Sequence, residues 1–395
     1  MKEIAFAWEL GGNTGHVATL HPIALAMKQR GYQVRFLQRD PEVGKDLQGA
    51  AEIPREGAPI WVGPAAYENP LNFGEILHNF GYQDVRSLHP LVDAWRQKLQ
   101  SASVVVANVA PAVHIAARTL GIPSIEISQG FHIPPPSLPV PPLRDWEPAP
   151  RERLLAADSR VIAAINTVLS GYGAATITTI GEIFQGRSML LTYPELDIYP
   201  ERGPADYYGI PQSPEGPAVP EWPAGSGPKV FAYLYGYYAH LGRLADSLAA
   251  SGCRANVFAR GVDPEILARH AGGTVAFSPE PMAVSRVLPQ CDLVLCHASH
   301  QMTAQALLAG KPLLMTPTQL EQFIIMRRVV RQGAGLGIAP DTPDADVGAA
   351  VRELLANPVY ARNAVEFRER YSRHEPREAL ATMSDRIERS IPGGP

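Results

Sequence analysis

Cysteine is scarce: the 395 residues hold three, Cys253, Cys291 and Cys296. Their spacing fits no metal-ligand pattern. An odd, sparse count excludes a disulfide framework and points to a reducing compartment, the cytoplasm. Charge of one sign is also lacking, since 35 Lys and Arg against 39 Asp and Glu leave a net −4. Nothing electrostatic therefore draws the chain to nucleic acid or to an anionic membrane. No apolar run reaches the roughly 18 residues of a spanning helix, so no transmembrane segment is expected. The opening MKEIAFAWELGG is too short and too acidic for a signal peptide and reads as a first strand. There is no solenoid-type repeat, and nothing in the sequence sets an oligomeric state.

What is present is ordinary globular composition, 46% hydrophobic and 19% charged. The length exceeds what one hydrophobic core supports, so two domains are expected. Ile4 to Trp8 is the first strand, and Glu9 to Gly15 (ELGGNTG) is a glycine-rich loop followed by His16. Val17, Leu20, Ala24 and Met27 fall at helical spacing, Gly31 ends that helix, and Val34 to Leu37 is the next strand. Such a β-loop-α-β unit is right-handed and parallel. Pro22 is best tolerated in a first helical turn, which puts His16 in the loop just before the helix. Ser103 to Val109 is another buried strand with Asn108 at its carboxyl end, followed by a helix over 111–120 and a turn and strand over 121–127. Residues 60–100 are rich in aromatics, and 131–146 (FHIPPPSLPVPPLRDW) is too dense in proline for helix or central strand, so it is a long surface loop. An amphipathic helix covers 151–172. Proline and glycine then dominate 194–228, a stiff interdomain connection. From Lys229 a second α/β series begins. The expected plan is two doubly wound α/β domains, 1–200 and 229–374, with a linker at 201–228 and a C-terminal helix and tail at 375–395.

The second series contains CDLVLCHASHQMTAQALLAGKPLLMTPTQLEQFIIMRR, residues 291–328. Asp292 to Cys296 is a short apolar run of the kind covered on both faces. The polar turn His297-Ala298-Ser299-His300-Gln301 follows. A helix starting near Met302 or Thr303 runs to Ala309, Gly310 is its αL stop, and Pro312 to Thr316 is the next strand. A polar turn thus sits at a strand's carboxyl end and a helix's amino end, where free N–H groups and the helix dipole favour anions. In open α/β sheets this is also where ligands bind.

This stretch resembles the donor-binding motif of GT-B nucleotide-sugar-dependent glycosyltransferases of the macrolide, flavonoid and UDP-glucuronosyl type. At the amino end, GGNTGHV resembles the family's glycine-rich loop with its Gly-His pair, and TYPELD is similar too. The resemblance implies two Rossmann-like domains facing across a cleft, with the C-terminal helix crossing back to the N-terminal domain. It also implies an inverting, metal-independent enzyme without a cofactor. A UDP- or dTDP-sugar would lie on the C-terminal domain, and an apolar small-molecule acceptor on the N-terminal one. His16 matches the general base and Asn108 the residue that orients it, with Glu9 as the alternative; His21, His114 and His132 are rival bases. On the donor side, His297 matches the histidine on the diphosphate. Ser299, His300, Gln301, Met302 and Thr303 form the phosphate turn, with the Thr303 hydroxyl as a donor. Gln305 matches the ribose ligand, Glu321 and Gln322 the pair on the sugar hydroxyls, and Phe277 the ring on the base. Gly12, Asn13, Thr14 and Gly15 form the loop beside His16. Trp61, Tyr67, Phe73, Phe131 and His132 are acceptor-side candidates.

The chemistry asks for these types. A leaving diphosphate gathers negative charge that pre-aimed donors stabilise, and a neutral histidine suits removal of a hydroxyl proton near pH 7. Asp344-Ala345-Asp346 reads as solvated surface, not a metal site. The chain departs from the family in three places: Ser299 and Gln301 stand where glycines are usual, Gln305 where a glutamate holds the ribose, and Asn108 where an aspartate is frequent. Gln305 loses a charge-assisted bond, which favours a dTDP-linked donor. Two other readings share this architecture: a non-catalytic GT-B auxiliary protein, which Asn108 and Gln305 favour, and a nucleotide-sugar 2-epimerase, which needs cleft carboxylates that the sequence does not place.

Overall fold

The computed structural model describes residues 2–12, 15–184, 186, 188–211, 216–218, 221–340, 342, 346–373 and 376–393. The chain divides into two compact units: Met1–Tyr193, Tyr199–Pro211 and Glu375–Pro395 in the first, Pro194–Ile198 and Gln212–His374 in the second.

The first unit contains β1 (Glu3–Trp8), α1 (Gly15–Gln29), β2 (Gln33–Gln38), β3 (Arg55–Gly57), α2 (Phe73–His78), α3 (Val85–Leu99), β4 (Ala102–Asn108), α4 (Pro111–Leu120), β5 (Ser124–Ser128), α5 (Arg151–Gly171) and β6 (Ser188–Leu190). The second contains β7 (Lys229–Tyr233), α6 (Leu241–Ala250), β8 (Arg254–Phe258), α7 (Pro264–His270), β9 (Val275–Ser278), α8 (Val284–Val287), β10 (Leu293–Cys296), α9 (His300–Leu308), β11 (Leu313–Met315), α10 (Leu320–Arg331), β12 (Gly335–Gly337), α11 (Val347–Ala356) and α12 (Pro358–Arg370). The last helix, α13 (Pro376–Ser390), belongs to the first unit.

Both sheets are parallel and wound alike. The first runs β3-β2-β1-β4-β5-β6 and the second β12-β11-β10-β7-β8-β9. This order reverses direction between the first and fourth strands of each sheet, opening a crevice at their carboxyl ends. Strands covered on both faces explain the apolar runs: Ile4 to Ala7 and Val104 to Ala107 are fully buried. Trp8 lies opposite Asn108 in register, and Tyr233 opposite Cys296.

Three expectations need correction. Helix α1 begins at Gly15 and contains Pro22, so His16 stands in its first turn and not in the preceding loop. The buried face of Val17, Leu20, Ile23, Ala24 and Met27 outweighs the one backbone bond that proline forgoes. Helix α9 begins at His300, ahead of Met302, because Ala298 takes a positive φ of 57° and turns the chain sooner. Residues 199–211 are not a free linker. Leu190 N donates to Asp206 O at 3.0 Å and Tyr208 N to Leu190 O at 2.8 Å, so this stretch lies along the edge strand β6. Prolines nearby tolerate such an edge position because few ladder donors are needed there.

Helix α5 has the length and apolar content of a membrane span. Its apolar residues Leu154, Val161, Ile165, Val168 and Leu169 are buried, and it packs on α2 and α3 as a core helix. Helix α13 closes the other face of the first sheet. Met383, Ile387 and Ile391 join Ile4, Leu20, Ile23 and Met27 in one apolar cluster. Arg30 binds Asp385 at 2.7 Å and Glu388 at 3.0 Å at the rim. Ile387 is fully buried, so Ile387→Ala is expected to destabilise the first unit by about 2–5 kcal/mol. Urea unfolding followed by the fluorescence of buried Trp8 and Trp95 checks this; a loss below about 0.5 kcal/mol, the range of surface substitutions, would show α13 to be peripheral.

Candidate active site

At the crevice of the first sheet, β1 and β4 deliver Trp8 and Asn108 side by side. His16, half-buried in the first turn of α1, lies over them. Its Nδ1 is 2.6 Å from Asn108 Oδ1, and its ring stacks on Trp8 with centroids 5.3 Å apart and planes 22° apart. Asn108 Nδ2 donates to Ile127 O at 2.5 Å, which fixes the amide with its oxygen toward His16. An oxygen there can only accept, so Nδ1 carries the ring proton and Nε2 keeps its lone pair. Burial pushes the His16 pKa below the ordinary histidine value, against the opposing effects of the Asn108 bond and the Glu126 charge. The imidazole is therefore neutral near pH 7. Gly11 matters here: at φ 81° it brings the loop so close that a Cβ would stand 2.7 Å from His16 Nε2.

Glu9 does not orient His16. Its fully buried carboxyl accepts Tyr82 OH at 2.7 Å and Ala112 N at 3.0 Å, the latter in the first turn of α4. Desolvation raises its pKa to about 8. The rival histidines are placed as well. His21 lies on the buried face of α1 with Nε2 2.8 Å from Gln48 O. His114 is buried between Ser124 and Glu126. His132 lies against Phe131 and Phe73 and is pushed down to about 3, by burial first and then by the charge of His16. Of the acceptor-side aromatics, His132 thus lies near His16, and Phe131 packs on His132. Phe73 is not available: it is fully buried against Phe184 and His132, because Asn72 caps α2 and turns the next residue inward. Trp61 packs over Gly81, whose Cβ would meet the indole at 2.7 Å, and Tyr67 packs on His78 and beneath Arg153. Gly12 and Gly15 are exposed, while Asn13 and Thr14 lie outside the described residues.

At the crevice of the second sheet, β10 ends at Cys296, and the chain continues through His297 to a turn at Ala298. His297 is buried, with Nδ1 2.7 Å from Thr316 O, and its Nε2 accepts Tyr235 N at 3.0 Å. Both ring nitrogens are thus engaged within the unit, and burial lowers its pKa. The donor to a diphosphate that the resemblance assigns to His297 is not on offer in this structure; the ring instead fixes the turn after β7. Tyr235 stacks on it at 4.5 Å, and exposed Tyr237 stacks on Tyr235 at 5.1 Å. Thr303 is likewise fully buried beside the Cys296 thiol, so its hydroxyl does not face the turn. Gln322 is buried, with Oε1 accepting Thr318 N at 2.8 Å and Nε2 donating to Tyr235 OH at 3.2 Å. That leaves Ser299 at the start of α9 with no side-chain cap bond, half-buried Gln301 and Gln305 one turn apart, and Glu321 in the first turn of α10, its pKa raised by burial. His300 and Met302 are buried in the first turn of α9, and burial pushes His300 down to about 4. Phe277 lies on edge strand β9, packed against the core beside His270. No three His, Cys, Asp or Glu side chains gather as metal ligands among the described residues. Asp346 caps α11 through Ala349 N at 2.8 Å, while Asp344 and Ala345 lie outside the described residues.

Residues 273–385 match the family model of the erythromycin biosynthesis protein CIII-like C-terminal domain. The zeaxanthin glucosyltransferase of Pseudescherichia vulneris is 24% identical over 87% of this chain and 88% of its own. The solved glycotransferase of kitacinnamycin superposes with a TM-score of 0.70 at 19% identity, over 98% of this chain and 99% of that one. Glycosyltransferase VinC, solved with dTDP, gives 0.62 at 18% identity over 97% and 100%. The chain has the GT-B fold and is similar to glycosyltransferases over most of its length. In this fold, the motif at 291–328 lies at the switch point of the second sheet and His16 at that of the first. Gly11 and Trp8 were not singled out from the sequence, although the Gly11-Gly12 doublet signals a close approach.

The buried Glu9 ties the protein's stability to pH. Its folded-state pKa, about 8, lies above the ordinary 4.5, so between these values the folded protein holds a proton that the unfolded chain has released. The stability it contributes is complete below the unfolded value and is lost as pH rises through the folded one. Glu9→Gln, which cannot ionise, is expected to flatten the decline of unfolding free energy across that window; an equally steep decline in the variant would assign the slope to other groups.

Proposed function

We infer that the chain is an inverting, metal-independent glycosyltransferase that moves a sugar from a UDP- or dTDP-sugar to a hydroxyl of an apolar small molecule. The observation that carries this reading is the His16–Asn108 pair. The Asn108 oxygen holds the proton on Nδ1 and leaves Nε2 as a neutral acceptor on a half-buried ring. In the reaction, Nε2 takes the acceptor's hydroxyl proton as that oxygen bonds to the anomeric carbon. The bond from carbon to the diphosphate oxygen breaks on the opposite side, and the diphosphate leaves with the electron pair. First-turn amides of α9 suit that charge, since Ser299 does not cap them. Glu321, which makes no hydrogen bond among the described residues, suits the sugar hydroxyls. Gln305, half-buried and without the charge of a glutamate, suits a deoxyribose, as does the likeness to a transferase solved with dTDP. Phe131 and His132 offer an apolar wall for the acceptor. The intact geometry around His16 weighs against a non-catalytic role.

His16→Ala is expected to lower kcat by about 10²–10⁴-fold, the usual contribution of a general base. The same variant should keep the thermal stabilisation given by dTDP or UDP. Release of nucleoside diphosphate with a panel of apolar acceptors measures the first, and thermal shift the second. Unchanged turnover in the variant would remove His16 from the mechanism.

A further inference from the structure

Position 108 carries an amide, so the oxygen that orients His16 brings no charge to the imidazolium formed during transfer. A carboxylate stands one strand away. Glu126 on β5 is fully buried and pairs in register with Ala107, the residue before Asn108. Its Oε1 accepts Val109 N–H at 2.6 Å, and its Oε2 lies 2.9 Å from His114 Nε2. Val109, the residue after Asn108, is β-branched and sits at φ 55°, a conformation such residues rarely adopt. Its carbonyl accepts Leu10 N–H at 2.9 Å, in the loop that lies against His16. The Asn108 amide is tied to Ile127 O, the residue next to Glu126. Glu126 thus braces both neighbours of the Asn108 side chain, and its charge reaches His16, where it favours the protonated form.

We propose that Glu126 is the anionic positioning residue of the His16–Asn108 pair: it sets the Asn108 turn through Val109 and supplies from β5 the negative charge that a carboxylate at 108 would bring. This rests on His16 being the base. The proton passes from the acceptor hydroxyl to His16 Nε2, and Glu126 takes none. The titratable groups around it are His114 on α4, Glu9 after β1 with Tyr82 bonded to it, Arg39, which acts on Glu9, and His16 with its neighbour His132.

Glu126→Gln keeps an oxygen for Val109 N–H and removes the charge. The expected result is a kcat lower by about tenfold, the factor carried by a modest loss of electrostatic support to a base, with KM for donor and acceptor unchanged. The acid limb of kcat/KM, which reports proton loss from the base in the free enzyme, should move to lower pH. Adding Asn108→Asp to Glu126→Gln should bring the limb back. A merely structural Glu126 would lower the melting temperature or raise KM with the limb in place, and that result overturns the proposal. Should Glu126→Gln not fold, His114→Asn strips Glu126 of its second partner and is expected to displace the limb; a limb that stays overturns the proposal equally. Full turnover in His16→Ala would sink the base reading and this proposal together. An inactive His16→Ala beside an unmoved limb in Glu126→Gln would sink this proposal alone.

Discussion

The hydrogen bond from His16 Nδ1 to Asn108 Oδ1 decides which nitrogen of the imidazole is left to work. Remove it and either tautomer is open; keep it and Nε2 is the acceptor. The bond depends on four features at once: the parallel pairing of Trp8 with Asn108, the start of α1 at Gly15, the positive φ of Gly11 and the Ile127 carbonyl that pins the amide. All four follow from a doubly wound sheet whose winding reverses between β1 and β4. That reversal leaves a gap at the carboxyl edge, which a helix start and two strand ends can share.

The second sheet repeats the arrangement with other residues. Val109 follows β4 and Ala298 follows β10, and both take φ values, 55° and 57°, that non-glycine residues seldom adopt. Such strain, on the order of 1–3 kcal/mol per site, persists only where neighbours over-determine it. Val109 is held by Glu126 and Leu10; at Ala298 the backbone bonds the Cys296 thiol, and His297 beside it is locked between Thr316 and Tyr235. Each crevice therefore has a rigid rim, and at each rim a histidine ring is fixed in one tautomer by its neighbours. At the first rim the outer nitrogen has no hydrogen-bond partner among the described residues; at the second both are engaged.

The strands were legible in the sequence because parallel strands buried on both faces are continuous apolar runs, and Val104 to Ala107 or Leu293 to Cys296 could hardly be anything else. The helix starts were less legible. Pro22 argues for a later start of α1 on local grounds, and only packing of Val17, Leu20 and Ile23 against the sheet overrules it. Residue identity marked His16, Asn108 and His297, yet not what their atoms touch. His297 is spoken for by Thr316, 19 residues on, and Tyr235, 62 residues back. Phe73 and Thr303 looked like ligands by type and are buried by the faces their helices present. Glu126 carries no local signal, since a single acid in an apolar strand acquires meaning only once Val109 and His114 surround it.

The central claim is that His16 Nε2 is an unprotonated acceptor at neutral pH. Nitrogen-15 NMR of the protein labelled at histidine, with the His16 signals assigned by difference against His16→Gln, measures this directly. The account expects a neutral ring protonated at Nδ1, with Nε2 showing the shift of a bare nitrogen. A His16 ring protonated at Nε2, or at both nitrogens, would contradict it.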